Sequence, residues 1–406
     1  MEDVLKKNKL QTLREIFSPT SLPFSEGLLK KTRSVLEEKD LPTRKDENWK
    51  YTNLNGLKKL SFDKDMANEI LENPFISEGS NRLLIKNGVV IDSTKTIEGV
   101  RTNWSDKTLP EVVGSGVMDA LNVLHCTAAI EIEFSSGGKT KELELVFENS
   151  INTQSFPRLF IRCKKGCKGT VILNYQGTTE NASFSNVSSF IDVEENANLT
   201  IHKIQKNGVK AFDLQREYVN QSANSTFTIN TFCLSGKMTR NDLYIKVKGN
   251  NCETYMNGAY TLKGKSHCDN HTTVDHEVAH CYSKELYKGV VDGFATNVFN
   301  GKVFVRKDAQ KINAFQSNAN ILLSETGTVN SKPELEIYAD DVKCSHGSTT
   351  GQLDDEAVFY LRSRGLSEKA AKELLVKAFL GEVLEEIDHE EVRSYVEGQI
   401  ELHFSK

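Results

Sequence analysis

The chain has 406 residues and a formal net charge of −5, with 38% hydrophobic and 26% charged residues. This length holds about two or three structural units with a large core, and the ordinary composition excludes a wholly disordered chain. An acidic chain without a long basic cluster is not built to bind nucleic acid. It has no run of about 18 apolar residues to span a membrane and no apolar secretory signal. We therefore expect a cytoplasmic protein with eight reduced cysteines.

Residues 1–78 are predicted to form an N-terminal helical region. Apolar side chains recur at helical spacing in two stretches, namely Leu10, Leu13, Ile16 and Phe17, then Leu28, Leu29, Thr32, Val35 and Leu36. Pro42 closes the second helix. Residues 79–127 are predicted to be a mixed α/β segment, because Asn87-Gly88 between two apolar runs is a hairpin signal and 117–124 suits a short helix.

Residues 128–350 have a different character, with short alternating runs punctuated by Asn, Gly and Ser. Phe227, Ile229 and Thr231 are one such run. More than 200 residues of short strands indicate a sandwich, a barrel, a propeller or a solenoid. No crisp internal repeat is evident, so the residues themselves leave these four architectures open.

Residues 351–406 are predicted to form a C-terminal helical domain. Asp354 suits the N-cap of a first helix that ends at Gly365, and Ser367 starts a second. Asp388 and Glu391 resemble a capping box for a third. Between residues 353 and 397 the chain carries 12 acidic and 6 basic side chains. This is either a solvated helical surface or a docking face for a basic partner.

The segment His276-Glu277-Val278-Ala279-His280 matches the HExxH pattern of zinc proteases, which needs both histidines on one helical face. The local periodicity is ambiguous between helix and strand, and in a strand the two side chains lie about 13 Å apart, too far for one ion. An independent zinc-dependent hydrolase is therefore the alternative function. A carbohydrate-acting β-helix is a further alternative, which requires a groove with paired carboxylates.

Two other patterns suggest chemistry less strongly. Cys163 and Cys167 flank a Lys-Gly turn, where a metal knuckle competes with packing at the ends of adjacent strands. Gly264-Lys265-Ser266 and 138–140 each resemble the end of a phosphate loop, but both lack the upstream glycine and a clear following helix. We expect no nucleotide hydrolysis by this chain.

Cys344 and His346 fall two residues apart in an alternating stretch. Residues i and i+2 of a strand share a face about 7 Å apart, so a soft sulfur and an imidazole lie side by side. Such a pair suits iron, zinc or copper, but a closed tetrahedral site needs four ligands. The missing ligands come from elsewhere in the chain or from a partner.

The longest motifs of the chain carry a family resemblance. The run EIYADDVKCSHGSTTGQLDDEAVFYLRSRG (336–365) resembles the C-terminal block of the D-type subunits in the SufB/SufD family, from the SufBCD complex for iron–sulfur cluster assembly. The runs DNHTTVDHEVAH, YKGVVDGFATNVFNGKVFVRKDAQK and FQSNANILLSETGTVNSKPELEI are similar to that family in order and spacing. PTRKDENWKYTNL (42–54) resembles its N-terminal block.

The resemblance implies a mainly β fold, with a right-handed parallel β-helix core between N-terminal and C-terminal α-helical domains that cap the solenoid. It implies a non-catalytic scaffold subunit that pairs with a SufB-like subunit through its last strands. Its C-terminal helices are expected to dock a SufC-like ATPase through Asp354, Glu356, Phe359, Tyr360, Arg362 and Arg364. A homodimer through the same strand edge is the alternative for the isolated chain.

The resemblance also assigns the site. The histidine matching His346 lies at the interface with SufB and is a transient metal ligand there, while Cys344 is accessory. Gly327 stands where the sister subunit has its cluster cysteine, and thiolates are the usual iron–sulfur ligands. We therefore expect no tightly bound cofactor in this chain alone, and a transient iron–sulfur cluster at the interface with SufB.

Overall fold

The structure is a computed structural model that describes residues 24–60, 62, 81–94, 100–103, 116–135, 140–150, 152–177 and 182–405. The predicted helix over 10–17 lies outside the described residues. The helices are α1 (Glu26–Glu38), α2 (Val117–Leu124), α3 (Asp355–Ser363), α4 (Glu368–Leu384) and α5 (Glu390–Ser405), with short 3₁₀ turns at Glu47–Trp49 and Leu54–Lys59. Within these ranges, no helix has the length and apolarity needed to cross a bilayer.

Three strands precede α2, and the others occupy most of the chain between α2 and α3. They are β1 (Asn81–Lys86), β2 (Val89–Thr94), β3 (Val100–Asn103), β4 (Ala128–Phe134), β5 (Lys141–Asn149), β6 (Gln154–Ser155), β7 (Pro157–Cys163), β8 (Lys168–Gly177), β9 (Phe184–Val193), β10 (Asn198–Lys206), β11 (Phe212–Gln221), β12 (Thr226–Ser235), β13 (Met238–Val247), β14 (Glu253–Leu262), β15 (His267–His276), β16 (Tyr282–Val291), β17 (Thr296–Val305), β18 (Ile312–Leu322), β19 (Thr328–Ile337) and β20 (Val342–Gln352).

The strands wind into a parallel β-solenoid, which confirms the predicted β-helix. From β7 onward, successive strands alternate between two sheets. Sheet A has the order β2-β1-β5-β8-β10-β12-β14-β16-β18-β20, and sheet B runs β19-β17-β15-β13-β11-β9-β7-β4-β3 with β6 beside β9. The predicted hairpin at Asn87-Gly88 joins β1 to β2, with positive φ angles of 49° and 78°. β1 then pairs in parallel with β5, so the sheet already includes part of the 79–127 segment.

A left-handed turn repeats between each sheet B strand and the next sheet A strand from β7 to β18. Gly166, Asn196, Asn224 and Asn251 occupy it with φ between 57° and 72°, and His280 and Lys311 follow with φ of 61° and 62°. Asparagine tolerates this conformation better than most residues because its short polar side chain bonds locally. The repeat escapes a sequence search because only three of its six positions are asparagine.

The N-terminal segment lies against the outside of sheet B. Ser25 caps α1, whose buried residues Leu28, Thr32 and Leu36 confirm the predicted helical face. Leu57 and other apolar side chains of this segment pack with α2 and with residues near the starts of the sheet B strands, such as Phe212. This packing removes apolar area from water along sheet B, which is the dominant stabilising term.

The C-terminal helices pack on the outer face of sheet A. Val376, Leu380 and Val383 of α4 share a buried cluster with Phe232 and Leu286 of sheet A. The expectation that these helices close the end of the solenoid is therefore wrong, because their apolar faces cover its side. The last strands β19 and β20 remain the outer edges of their sheets.

Two of the three N-caps predicted for the C-terminal helices are observed. The Asp354 side chain accepts a hydrogen bond from the backbone N–H of Glu356, and Ser367 caps α4 through the Ala370 N–H. The predicted cap at Asp388 is wrong. The third helix starts at Glu390, and the preceding His389 accepts the Val392 N–H through Nδ1 at 3.3 Å. A tertiary contact fixes that ring, since its Nε2 bonds Glu142 at 2.9 Å.

Candidate functional site

The last coil of the solenoid is the most open part of the β core. β20 pairs only with β18, and β19 only with β17, so each leaves one backbone edge without a strand neighbour among the described residues. Nearly all of β20 is exposed and β19 is half-buried along its length. Exposed edge strands are templates for pairing with another chain, and proteins normally blunt or cover them.

Cys344 and His346 lie on β20, as the alternating pattern predicts. Cys344 pairs in register with Ala314 and His346 with Gln316, and both partners on β18 are buried. The two side chains therefore belong to the inward face of the solenoid, with Ser345 on the other face. Cys344 packs against the main core and is half-buried, while His346 is exposed because no further coil covers it. Burial raises the pKa of the Cys344 thiol, which reduces its thiolate character.

A column of polar side chains runs along the solenoid axis from His346 towards the middle coils. Gln316 is the in-register neighbour of His346, and Glu285 on β16 is the next residue of the same column. Glu285 accepts a 2.5 Å hydrogen bond from Thr272 Oγ1 at one carboxylate oxygen. Its other oxygen and both amide atoms of Gln316 are buried and make no hydrogen bond to the described residues. Burial raises the pKa of Glu285 to about 7, although the hydrogen bond from Thr272 opposes the rise.

A second polar chain links the core to the open end. Ser348 on β20 donates to Ser331 on β19 at 2.7 Å, and Ser331 donates to Asn318 at 2.9 Å. Asn318 in turn bonds the buried Tyr260 hydroxyl at 3.2 Å. These bonds cross the inside of the solenoid and hold the two edge strands together. Ser348 lies two residues from His346 on the same strand face, so the chain positions the strand that carries the imidazole.

The six residues predicted as a docking face all lie on α3 or at its ends. Phe359 and Tyr360 are 73% and 56% exposed, whereas Val358 is the buried residue of this helix. The Arg364 guanidinium lies over the Tyr360 ring at 5.3 Å, and Arg362 reaches Glu368 at 3.8 Å. Asp354 acts as the N-cap, and Glu356 is exposed in the first turn. An exposed aromatic pair flanked by guanidinium groups has the composition of a protein interface.

The HExxH segment does not have the geometry of a zinc protease. β15 ends at His276, and residues 277–281 form the turn that leads to β16, with His280 in the left-handed position. His276 is buried, its Nε2 bonds Ser283 at 3.0 Å, and burial lowers its pKa to about 4. Throughout the described ranges, no three His, Cys, Asp or Glu side chains are placed to hold a metal ion. The hydrolase alternative thus lacks its ligand set there.

The remaining motifs have structural roles. Cys163 and Cys167 are buried at the end of β7 and before β8, with the Cys163 thiol donating to the Cys167 carbonyl at 3.4 Å. Burial raises the pKa of Cys163 to about 12, as expected for a packed thiol. Gly264-Lys265-Ser266 forms the turn between β14 and β15, and no helix follows it. Gly138 and Lys139 lie outside the described residues.

Sequence reasoning missed Glu285, Gln316, Ser331 and the other residues behind His346. They lie far apart in the chain, and only the register of the coils brings them together. The left-handed asparagines recur only in earlier coils, and His280 and Lys311 hold the equivalent turns before β16 and β18, so no sequence signal aligns the coils that carry the column.

Comparison with known proteins identifies the coiled region. Residues 146–379 match the family model described as SUF system FeS cluster assembly, SufBD core domain. An iron–sulfur cluster assembly SufBD family protein of Synechocystis is 30% identical over 382 residues, covering 86% of this chain and 84% of that protein. The iron–sulfur cluster assembly protein SufD of Escherichia coli is 29% identical over 376 residues, covering 89% and 88%. A Mycobacterium leprae SufBD family protein is 30% identical over 254 residues, covering 61% and 64%.

Proposed function

This chain belongs to the SufBD family of iron–sulfur cluster assembly proteins, and we propose that it works there as a scaffold subunit without a catalytic site of its own. The observation that carries the proposal is the uncovered last coil. β19 and β20 present free strand edges, and an imidazole stands at the rim with one half-buried thiol beside it. Such an incomplete ligand set suits a site that a second polypeptide finishes.

The partner at this end is a SufB-like subunit that pairs edge to edge with residues 335–348. Apolar side chains surround the open coil and support a protein partner: Phe315, Ile337 and Tyr338 are 39%, 38% and 60% exposed. Main-chain hydrogen bonds along the paired edges supply affinity, and the apolar rim supplies buried area. A homodimer of this chain uses the same edge when SufB is absent.

His346 contributes to the transient cluster at this interface. A neutral imidazole nitrogen ligates iron, and its orientation depends on the polar groups behind it. Cys344 is accessory because burial disfavours its thiolate. The iron–sulfur cluster is therefore cargo of the assembled complex, and this chain alone retains no tightly bound cofactor.

The SufC-like ATPase docks on α3, through Phe359 and Tyr360 with Arg362, Arg364, Glu356 and the Asp354 cap around them. α3 packs lightly against α4, so its exposed side stays accessible while α4 and α5 anchor the domain on sheet A. The acidic surface of this domain complements a basic partner surface.

The role of His346 is tested by His346→Ala in cells that depend on this complex for cluster formation. We expect the complex to assemble and cluster output to fall strongly, because the exposed imidazole contributes ligation and little folding energy. Ser345→Ala, one position away on the opposite strand face, is the matched control. Full cluster output from His346→Ala removes this residue from the proposal.

The interface with SufB is tested by Ile337→Asp combined with Tyr338→Asp. We expect loss of co-purification with the SufB-like subunit and loss of any homodimer measured by light scattering. Val209→Asp, at a side chain that is 58% exposed outside the last coil, is the control. Unchanged heteromer formation by the double variant places the interface elsewhere.

The ATPase docking face is tested by Phe359→Ser combined with Tyr360→Ser. Both rings are exposed, so the fold is retained while co-purification with the ATPase is lost. Phe294→Ser removes an equally exposed ring, at 65%, from a turn of the solenoid and serves as the control. ATPase binding that survives the double variant contradicts the assignment of α3.

A further inference from the structure

A cavity of about 600 Å³ lies between the outer face of sheet A and the turn that joins α4 to α5. It is distinct from the open coil and from the exposed face of α3. Its size falls within the range of small-molecule sites. Its walls come from the solenoid below and from Glu385, Asp388 and their neighbours above.

A row of hydroxyl groups forms the floor. Thr170, Thr200 and Thr228 occupy equivalent positions on β8, β10 and β12, in direct register, and all three line the cavity. Adjacent strands are about 4.8 Å apart, so the hydroxyls follow the solenoid axis at that interval. An extended ligand lying along the axis meets one hydroxyl per strand.

A second row of polar groups lies beside the first. Asn230 Nδ2 donates to His202 Nδ1 at 3.1 Å, and Asn257 Nδ2 donates to Asn230 Oδ1 at 2.9 Å. Burial lowers the pKa of His202 to about 3, so the ring is neutral. Asn257 lines the cavity and is 1% exposed, yet its Oδ1 has no hydrogen-bond partner in the described part of the chain. A buried acceptor without a donor is costly, which points to a donor on a ligand.

The roof carries an excess of negative charge. Four carboxylates line the cavity against one lysine, Lys168. Glu142 contacts His389 at 2.9 Å and Glu386 contacts Lys284 at 2.6 Å. The other two, Glu385 and Asp388, have no ion-pair partner among the residues that the structure describes.

The ligand must therefore bring positive charge and several hydrogen-bond donors. A metal ion is a poor match, because no three carboxylate, imidazole or thiol groups of the described residues converge on one point. We propose that this cavity binds a linear polyamine, which lies along the solenoid axis. Its ammonium groups pair with Glu385 and Asp388, and its N–H groups donate to the threonine row and to Asn257 Oδ1.

The experiment is calorimetric titration of the purified full chain with spermidine at low ionic strength, where surface charges are least screened. We expect saturable one-to-one binding. The combined change Glu385→Gln and Asp388→Asn should raise Kd by at least about tenfold, which corresponds to about 1.4 kcal/mol. Glu390→Gln with Glu397→Gln removes the same charge from nearby positions outside the cavity. This control should change Kd by no more than about twofold, which corresponds to less than half of the free-energy change expected for the roof variant.

A floor variant separates a specific site from general charge attraction. Thr200→Val keeps the side-chain shape, leaves the net charge unchanged and should still weaken binding. Thermal unfolding followed by circular dichroism establishes that each variant is folded before titration. Absence of saturable binding to the wild-type chain overturns the proposal. Equal weakening of binding in the roof variant (Glu385→Gln with Asp388→Asn) and in the control variant also overturns it. So does wild-type affinity in both Thr200→Val and the roof variant, each measured separately.

Discussion

The middle coils and the last coil share one architecture but treat polar side chains in opposite ways. In the middle, Arg240 is 2% exposed and is held by Asp242, Asp269 and the Asn48 carbonyl, with its guanidinium 4.0 Å from the centre of the Trp49 ring. In the last coil, His346 is on the inward face of its strand and still meets solvent. Arg240 lies on the outer face of sheet B beneath the N-terminal segment and finds its partners within the chain, whereas a polar group on the last coil keeps its bonding capacity for another molecule.

The strongest test of this contrast is Arg240→Met in the middle coils. The change leaves two buried carboxylates without their cation, so we expect the free energy of unfolding to fall by about 3–5 kcal/mol. Urea unfolding followed by circular dichroism measures the loss. A loss under about 1 kcal/mol means that solvent reaches these carboxylates in the folded state.

The buried acid below the open coil gives a pH-dependent test. The folded-state pKa of Glu285 is about 7, raised from 4.5, so its ionisation destabilises the fold as the pH rises from about 4.5 to 7. Glu285→Gln should match the wild type in stability at pH 4.5 or below. At pH 8 it should be more stable by up to about 3 kcal/mol.

Urea unfolding of both proteins across this pH range measures the difference. Phe315→Leu, at an exposed position of β18, is the control. Its free energy of unfolding should differ from that of the wild type by an amount that does not change with pH. A constant offset for Glu285→Gln as well shows that Glu285 does not titrate in this range.

Two glycines in sheet A contrast a packed inward-facing position in a middle coil with an open outward-facing position in the last coil. A Cβ on Gly289 of β16 falls 1.5 Å from a Tyr260 ring atom, whereas a Cβ on Gly347 of β20 meets nothing within 4 Å. Gly289→Ala should cost about 1–3 kcal/mol or more through overpacking. Gly347→Ala should stay within about 0.5 kcal/mol of the wild type in the same urea assay. A similar loss in both variants means that the last coil is as tightly packed as the middle.

His346→Ala is expected to change stability as little as Gly347→Ala does. The side chain is exposed on an edge strand, so the free energy of unfolding should change by less than about 0.5 kcal/mol. This result, combined with loss of cluster output in cells, separates a functional histidine from a structural one. A large loss of stability shows instead that the imidazole supports the fold.

Local sequence signals predicted what depends on neighbouring residues. The Asn87-Gly88 hairpin, the face of α1 and the caps at Asp354 and Ser367 all form as expected, because turns and caps are set by the residues that make them. The cap of α5 was mispredicted because His389 is oriented by Glu142 from another element. The HExxH segment, whose periodicity left helix and strand open, ends β15 because pairing with β13 and β17 extends to His276.

The sequence by itself determined the short alternating strands, the caps at Asp354 and Ser367, and the placement of Cys344 and His346 on one strand face. The resemblance of the longer motifs to the SufB/SufD family added the prediction of a parallel β-solenoid. Only the tertiary structure decided that the C-terminal helices cover the side of the solenoid and leave its last coil open. It alone aligned Glu285, Gln316 and His346, because the register between coils is set by side chains packing across about 30 residues of chain, beyond the reach of any local pattern.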